Sequence, residues 1–473
     1  MQMRIRRFDI HRINLRTRMP FRYGIATMTE VPEVFVRLWV EIDGKECAGV
    51  ASDCLPPKWF TKIPGKPLAA EIDEMLRVIQ NALSMSLDLQ GSSAFEVWRK
   101  LYEAQGVWAQ REQIPLLLAH FGTSLVERAL LEAACQASGT TFAKMLQGNL
   151  LGINLETIHP LLKGSSPPDF LPSEPLATIV ARHTVGLTDP LTDRDIAPEE
   201  RLQDGLPQSL TASIQTYGLR HFKIKIEGDL TRDFERLLRL AAILQAQAHP
   251  QFAFSLDGNE QFKSLAQFQG YWETISAQPK LTEFFRHLLF VEQPVHRDFA
   301  LQPEAGEVLG KWPQRPPIII DESDATLEDL PTALRLGYAG TSHKNCKGIF
   351  KGVANRCLIE HLRRTQPQGR HLMSGEDLCN IGPVALLQDL AVMAALDIRS
   401  VERNGHHYHA GLSQFPGTVQ QQVLAGHPDL YAVSAGGWPA LKITEGEINL
   451  QSINQAPFGV GFELDMEQFT RVV

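Results

Sequence analysis

Eight short apolar runs, separated by helix-forming stretches, fill the middle of the chain and leave it few folds to choose from. They are Leu176 to Gly186, His221 to Ile226, Phe252 to Asp257, Leu288 to Glu292, Ile318 to Asp321, Gly340 to Lys344, His371 to Ser374 and Ile398 to Glu402. Successive starts fall about 22 to 45 residues apart, and a strand with its crossover helix and loops takes roughly 30. Eight such units predict an α/β fold in which parallel strands close into a (β/α)8 barrel of the TIM type rather than an open sheet.

The flanks read differently. Val34 to Ile42 alternates apolar and polar residues and runs into Asp43-Gly44, a hairpin signal, so an antiparallel sheet opens the chain. Helices are predicted from about Leu68 to Leu87, from Ser93 to Ala104 and from Thr123 to Ser138; the last carries Leu125, Ala129, Leu130, Ala133 and Ala134 on one broad apolar face. This organisation predicts an N-terminal α+β capping domain over residues 1–150, a barrel over 175–410 and a C-terminal segment over 411–473 that returns to the cap. Within that segment, Leu441 to Leu450 reads as a hairpin turning at Glu445-Gly446 and is expected to rejoin the N-terminal sheet.

Composition narrows the partners. Lys and Arg number 46 against 54 Asp and Glu, a formal charge of -8, so no basic field favours nucleic acid. No apolar stretch approaches the roughly 18 residues of a spanning helix, and none near the start resembles a signal h-region, so no membrane partner is expected. The 6 cysteines are scattered without a CxxC pair, which fits a reducing, cytoplasmic location.

In a β/α barrel the strands' C-terminal ends share one mouth, so a charge that terminates an apolar strand is a candidate for chemistry. Phe254-Ser255-Leu256 ends in Asp257, Leu289-Phe290-Val291 in Glu292, and Ile318-Ile319-Ile320 in Asp321. The three lie one β/α unit apart and are expected on neighbouring strands. Converging carboxylates repel unless a cation neutralises them, and oxygen-only donors favour Mg²⁺. Taken singly, each carboxylate is equally well read as a helix cap. Lys223 and Lys225, two apart, share one strand face a unit before Asp257, and Lys344 closes the strand after Asp321. Lysines beside a metal are expected to have depressed pKa values and to serve as bases.

Lys223-x-Lys225, Asp257-Gly258-Asn259, Glu292-Gln293-Pro294, Asp321-Glu322-Ser323 and Lys344, in that order, resemble the enolase superfamily, in particular its muconate-lactonizing-enzyme-like subgroup. The resemblance spans nearly the whole chain. It implies a Mg²⁺ held by Asp257, Glu292 and Asp321 that binds the carboxylate of a small-molecule substrate. Lys225 and Lys344 would be acid/base groups on opposite faces of the substrate's α-carbon, with Lys223 assisting electrostatically. The implied reaction is racemisation or epimerisation through a stabilised enediolate. A lyase using the same residues is the alternative, and a catalytically silent binding protein a remote one. Symmetric homo-oligomers are common in the family.

Substrate contacts are less defined. Asn259 belongs to the third-strand motif, and Arg182, at the first strand, can pair with a second acidic group of a substrate or lie on the surface. By the resemblance, two cap loops close over the site, which makes Arg22, Tyr23 and Asp53 specificity candidates. Glu376 and Asp377 follow the seventh strand where an acidic substrate contact is common in the family, although a helix cap accounts for them equally. After the eighth strand, Glu402, His406 and His407 are read as substrate contacts or as a structural loop. Val401-Glu402-Arg403 stands where dipeptide epimerases carry Asp-x-Asp, and Lys344 where mandelate-racemase-like members carry Asp, which counts against both chemistries. Lys347, in place of the usual Gly-rich segment, reads as a second polar group at the mouth or, in preference, as a solvated lysine at a helix start.

Overall fold

The computed structural model describes residues 1–472. Eight parallel strands, Thr178–Val185, His221–Lys225, Ala253–Asp257, Leu288–Glu292, Ile318–Ile320, Gly340–His343, Leu372–Gly375 and Ser400–Arg403, follow one another around a sheet that closes on itself. Closure is made by the last strand pairing with the first, Ser400 opposite Val180 and Arg403 opposite His183. All eight predicted runs are therefore strands, with ends displaced by a residue or two. Between them lie helices whose starts are written in the sequence. The Ser209, Asp229 and Ser264 side chains each accept from backbone N–H groups of the first turn, which satisfies donors no helical carbonyl can reach.

The N-terminal domain is an antiparallel sheet of long strands, Met3–Tyr23, Ala26–Ile42 and Lys45–Cys54, backed by helices Leu68–Ser86, Ala94–Arg111 and Leu116–Ala137. The third helix is longer than its periodicity predicts and is buried along nearly its whole length. It approaches the sheet closely at Gly49, where any Cβ would collide with the Ala129 carbonyl. Fully buried residues such as Phe35, Leu125 and Leu130 join this domain and the barrel in one continuous core, each stabilising it by roughly 1.5–3 kcal/mol.

The C-terminal segment divides its pairing between the two domains. Glu445 and Gly446 turn with positive φ as expected. The strand that follows, Glu447–Asn449, pairs antiparallel with the first barrel strand, Ile448 opposite Ile179, rather than with the cap. The return to the N-terminal sheet is made by Thr470–Arg471 against Arg12 and His11. Among the described residues, no helix is long and apolar enough to cross a membrane.

Candidate active site

Strand register builds the mouth. Lys225 lies opposite Asp257, and Asp257 opposite Glu292, so three functional groups occupy one level of three adjacent strands. Asp321 follows directly on the fifth strand and Lys344 directly on the sixth. The turns that hold them interlock. Gly258 N donates to Glu292 O at 3.0 Å, and a Cβ on Gly258 would lie 2.6 Å from Pro294. Gln293 Oε1 accepts from the Asp321 and Ser323 N–H groups at 2.7 and 3.2 Å. The motif residues beside the carboxylates thus fix the loops that aim them.

Lys223, Lys225, Asp257, Glu292, Asp321 and Lys344 are all 5% exposed or less. Lys223 Nζ sits 3.0 Å from Asp257, 2.8 Å from Glu292, 2.7 Å from Glu376 and 3.0 Å from Glu402. Lys225 Nζ donates to Asp257 Oδ2 at 2.5 Å, and Lys344 Nζ to Asp321 Oδ2 at 2.7 Å. Burial on its own would lower the pKa of Lys223 and Lys344, but the surrounding carboxylates outweigh it and raise both. The surrounding acids thus hold both side chains as ammonium groups. Asp257 and Asp321 lie below the usual carboxylate range because neighbouring ammonium groups override burial. Glu292 is pushed well up, by burial and then by Glu376, Asp257 and Asp321.

The carboxylate oxygens face ammonium groups rather than one another. Among the described residues, the one set of three acidic or histidine ligand atoms within 4.8 Å of one another is Asp9, His11 and Glu467 in the cap sheet. That set is already served by a cation, since Arg37 Nη2 lies 2.5 Å from Asp9 and 3.4 Å from Glu467. At the barrel mouth both Glu292 oxygens are buried, and their nearest partner is the Lys223 ammonium at 2.8 Å. They lie between the strands of Asp257 and Asp321, so the residues fit a hard dication: the donors are carboxylate oxygens on three adjacent strands, and Lys223 already shows that they gather positive charge.

Above this floor is a cavity of about 40 Å³, room for about three waters. Lys223, Lys225, Asp257, Asn259, Asp321, Lys344, Asp377 and Glu402 reach it. Tyr23 reaches it from the cap, as do Phe21 and Trp59. Trp59 stands on a cap loop clamped to the barrel. Arg297 donates at 2.8 Å to both the Trp59 and Phe60 carbonyls and pairs with Glu260; Lys62 bridges Glu260 and the Asn259 carbonyl.

Other sequence candidates are corrected by the structure. Arg22 is exposed on the cap sheet. Asp53 is buried against Arg128 at 2.7 Å, 75 residues away in sequence. Arg182 lies beneath the site, donating to Glu376, Ser374 and the Gly375 carbonyl, so neither Arg182 nor Glu376 lines the cavity. His406 and His407 pack against His183, with His183 Nδ1 3.1 Å from His406 Nε2. They form a buried cluster outside the cavity wall. Lys347 is not solvated: it is 4% exposed, with Nζ 3.1 Å from Asp321 Oδ1 and 3.0 Å from Ser342 Oγ. Arg297 and Trp59 carry no sequence signal beyond their residue type. Burial of Lys347 was foreshadowed only by its position three residues after Lys344.

No protein-family model and no curated protein matches the chain. Solved structures match it along its length. A muconate lactonizing enzyme from Pseudomonas fluorescens, complexed with muconolactone, superposes with a TM-score of 0.61 at 15% identity, covering 98% of each chain. A 2-chloromuconate cycloisomerase from Rhodococcus opacus 1CP gives the same score, identity and coverage. The chain has the fold of the muconate lactonizing enzymes. An enolase from Bradyrhizobium, complexed with magnesium and mandelic acid, shares that fold with a TM-score of 0.58 at 14% identity, over 100% of this chain and 99% of the other. In the muconate-lactonizing fold the candidate site of this chain occupies the C-terminal mouth of the barrel, covered by the cap.

Proposed function

We propose that this chain is a Mg²⁺-dependent enzyme of the enolase superfamily that moves the α-proton of a small-molecule carboxylate, in a racemisation or epimerisation. Asp257, Glu292 and Asp321 would hold the ion. The observation that carries the reading is the placement of two lysines. Lys225 ends the second strand and Lys344 follows the sixth; in a closed ring of eight these strands stand opposite each other, and both side chains reach the same cavity.

An α-proton next to a carboxylate is very weakly acidic, because its removal places a second negative charge on the same group. The ion, when bound, would neutralise that charge and offset the carboxylate field that now keeps Lys344 protonated. A neutral Lys225 or Lys344 takes the proton from its face of the α-carbon, and the ammonium opposite returns one from the other face. Each lysine then regains its starting state by exchange with solvent. Lys223, 2 residues from Lys225 on the same inward face, keeps a fixed positive charge against the enediolate.

The test is solvent exchange by the Mg²⁺-loaded enzyme in D₂O. Isomerisation deuterates the α-carbon without altering the skeleton, whereas elimination by a lyase gives a keto acid. Lys225→Ala and Lys344→Ala are each expected to abolish net racemisation while retaining exchange from the enantiomer facing the surviving lysine. Identical loss of exchange from both enantiomers in both variants would refute the two-base reading.

A further inference from the structure

The wall of the cavity that faces the lysines is built from Phe21, Tyr23, Met28, Trp59 and Leu378, each 7% exposed or less. Its one phenolic hydroxyl is taken, since Tyr23 Oη donates to the Pro57 carbonyl at 2.8 Å, which leaves only the ring to meet a ligand. Phe21 and Tyr23 present tilted faces with centroids 4.8 Å apart, a geometry that suits a third ring packed against them.

The cation that meets this wall is Lys344, whose Nζ stands 5.2 Å over the Trp59 ring and is held by Asp321 at 2.7 Å; the nearby arginines are engaged elsewhere. Arg403 is turned to Asp377 at 3.0 Å and Asp389 at 3.5 Å. Arg18 forks onto Asp204 at 2.6 and 2.8 Å. Arg182 is committed to Glu376 beneath the floor, and Arg22 is exposed outside. Two further ionisable groups line the cavity, Asp377 and, beside Lys223 at 3.0 Å, Glu402, and both are acidic. A second carboxylate on a substrate would enter a largely apolar wall, with acids nearby and its one neighbouring ammonium, Lys344, already bound to Asp321, which is costly to desolvate.

Resting on the reading under Proposed function, we propose that the substrate is a monocarboxylate whose tail beyond the α-carbon is uncharged and apolar, with a ring seated among Phe21, Tyr23 and Trp59. The lysine side binds the carboxylate and handles the proton; the cap side selects by excluding charge.

Matched pairs test this without knowledge of the natural substrate. The Mg²⁺-loaded enzyme is given 3-phenyllactate against malate, 3-phenylpropionate against succinate, and N-acetylphenylalanine against N-acetylaspartate. Within each pair the α-carbon is the same and the tail ends in phenyl or carboxylate. Binding is read by calorimetry and α-deuteration by mass spectrometry in D₂O. The phenyl member is expected to bind and exchange at least tenfold better in every pair that responds. Met28→Arg, or Leu378→Arg should the first variant not fold, is expected to narrow that ratio at least tenfold by giving the wall a cation. Equal or better exchange from the dicarboxylate members would overturn the inference and leave the proton-transfer reading standing. Failure of all six acids to bind or exchange would overturn both.

Discussion

Replacing Lys223 by Met keeps the apolar stem and removes the ammonium that four carboxylates share, at 2.7 to 3.0 Å. Of those four, Glu376 retains Arg182 and Asp257 retains Lys225, while Glu292 and Glu402 lose their nearest cation. Removing one partner of a buried ionic cluster costs about 3–5 kcal/mol. With unfolding entropy near 2.1 cal/mol/K per residue, a chain of this length loses about 1 °C of Tm per kcal/mol. A fall of about 3–5 °C is therefore expected at pH 8 in calorimetry with chelator present. The deficit should depend on pH. Carboxylates left without Lys223 titrate above their unfolded values, so the folded variant binds more protons than its unfolded chain and gains stability as pH falls from 8 toward 5. The gap to the parent protein narrows over that interval. Millimolar Mg²⁺ should also narrow it at pH 8, by supplying positive charge to the same oxygens. A deficit under 1 °C at pH 8, or one that stays constant with pH and Mg²⁺, would refute the view of Lys223 as the counter-charge of the barrel floor.

Chelation of the parent protein should abolish turnover but shift Tm by no more than about 2 °C, because lysines already neutralise the acids; calorimetry with and without chelator checks this, and a large drop would contradict it. Arg297→Gln removes two charged hydrogen bonds to the Trp59 loop, each worth about 1.5–3 kcal/mol. Amide exchange in residues 55–66 should accelerate on the order of 10²- to 10⁴-fold, at about 1.4 kcal/mol per decade, read by mass spectrometry. Glu132, buried behind the cap sheet, is pushed up to about 7 by burial, against hydrogen bonds from Gln136 and Gln388. Its contribution to stability is full below the unfolded value near 4.5 and is lost as pH rises through 7. Glu132→Gln should therefore stabilise the protein at pH 8 by up to about 3 kcal/mol and have little effect at pH 4.5, as a pH series of thermal melts will report.

The barrel was legible because its information is local and periodic. Each strand is a short apolar run, each functional group sits at a strand's C-terminal end, and one β/α unit separates neighbours, so Asp257, Glu292 and Asp321 could be placed side by side without any knowledge of contacts. The cap helices were legible for the same reason, although apolar periodicity understated Leu116–Ala137, whose polar residues His120, Ser124, Glu127 and Arg128 are also buried. The stretch Leu441–Leu450, read as a hairpin, shows where local information stops: Thr444 and Glu447 form a lone bridge at its turn, while Leu441 pairs with Tyr431 and Ile448 with Ile179. Its turn at Glu445-Gly446 was readable, but its partner was a matter of tertiary geometry, and the first barrel strand took it.

Arg182 marks a subtler limit. Alternation along a strand tells which side chains point inward but not how high in the barrel they lie. Arg182 points inward and pairs in register with His221, while Thr184, two residues on, pairs with Lys223. Arg182 thus lies one layer below the lysine floor, too deep to meet a substrate, and it serves Glu376 instead. Lys347 shows the converse. A lysine three residues past a strand end looks solvated by composition, because almost every such lysine has water nearby. Here the chain turns through Asn345–Lys347 and brings the ammonium back beneath Asp321, where a fifth-strand carboxylate with two cations beside it can stay charged although buried. Depth within a barrel and the return path of a loop are set by packing that no single strand encodes. For that reason the grouping of lysines and carboxylates at the barrel mouth was readable from the sequence, while the cap wall above them became visible only in three dimensions.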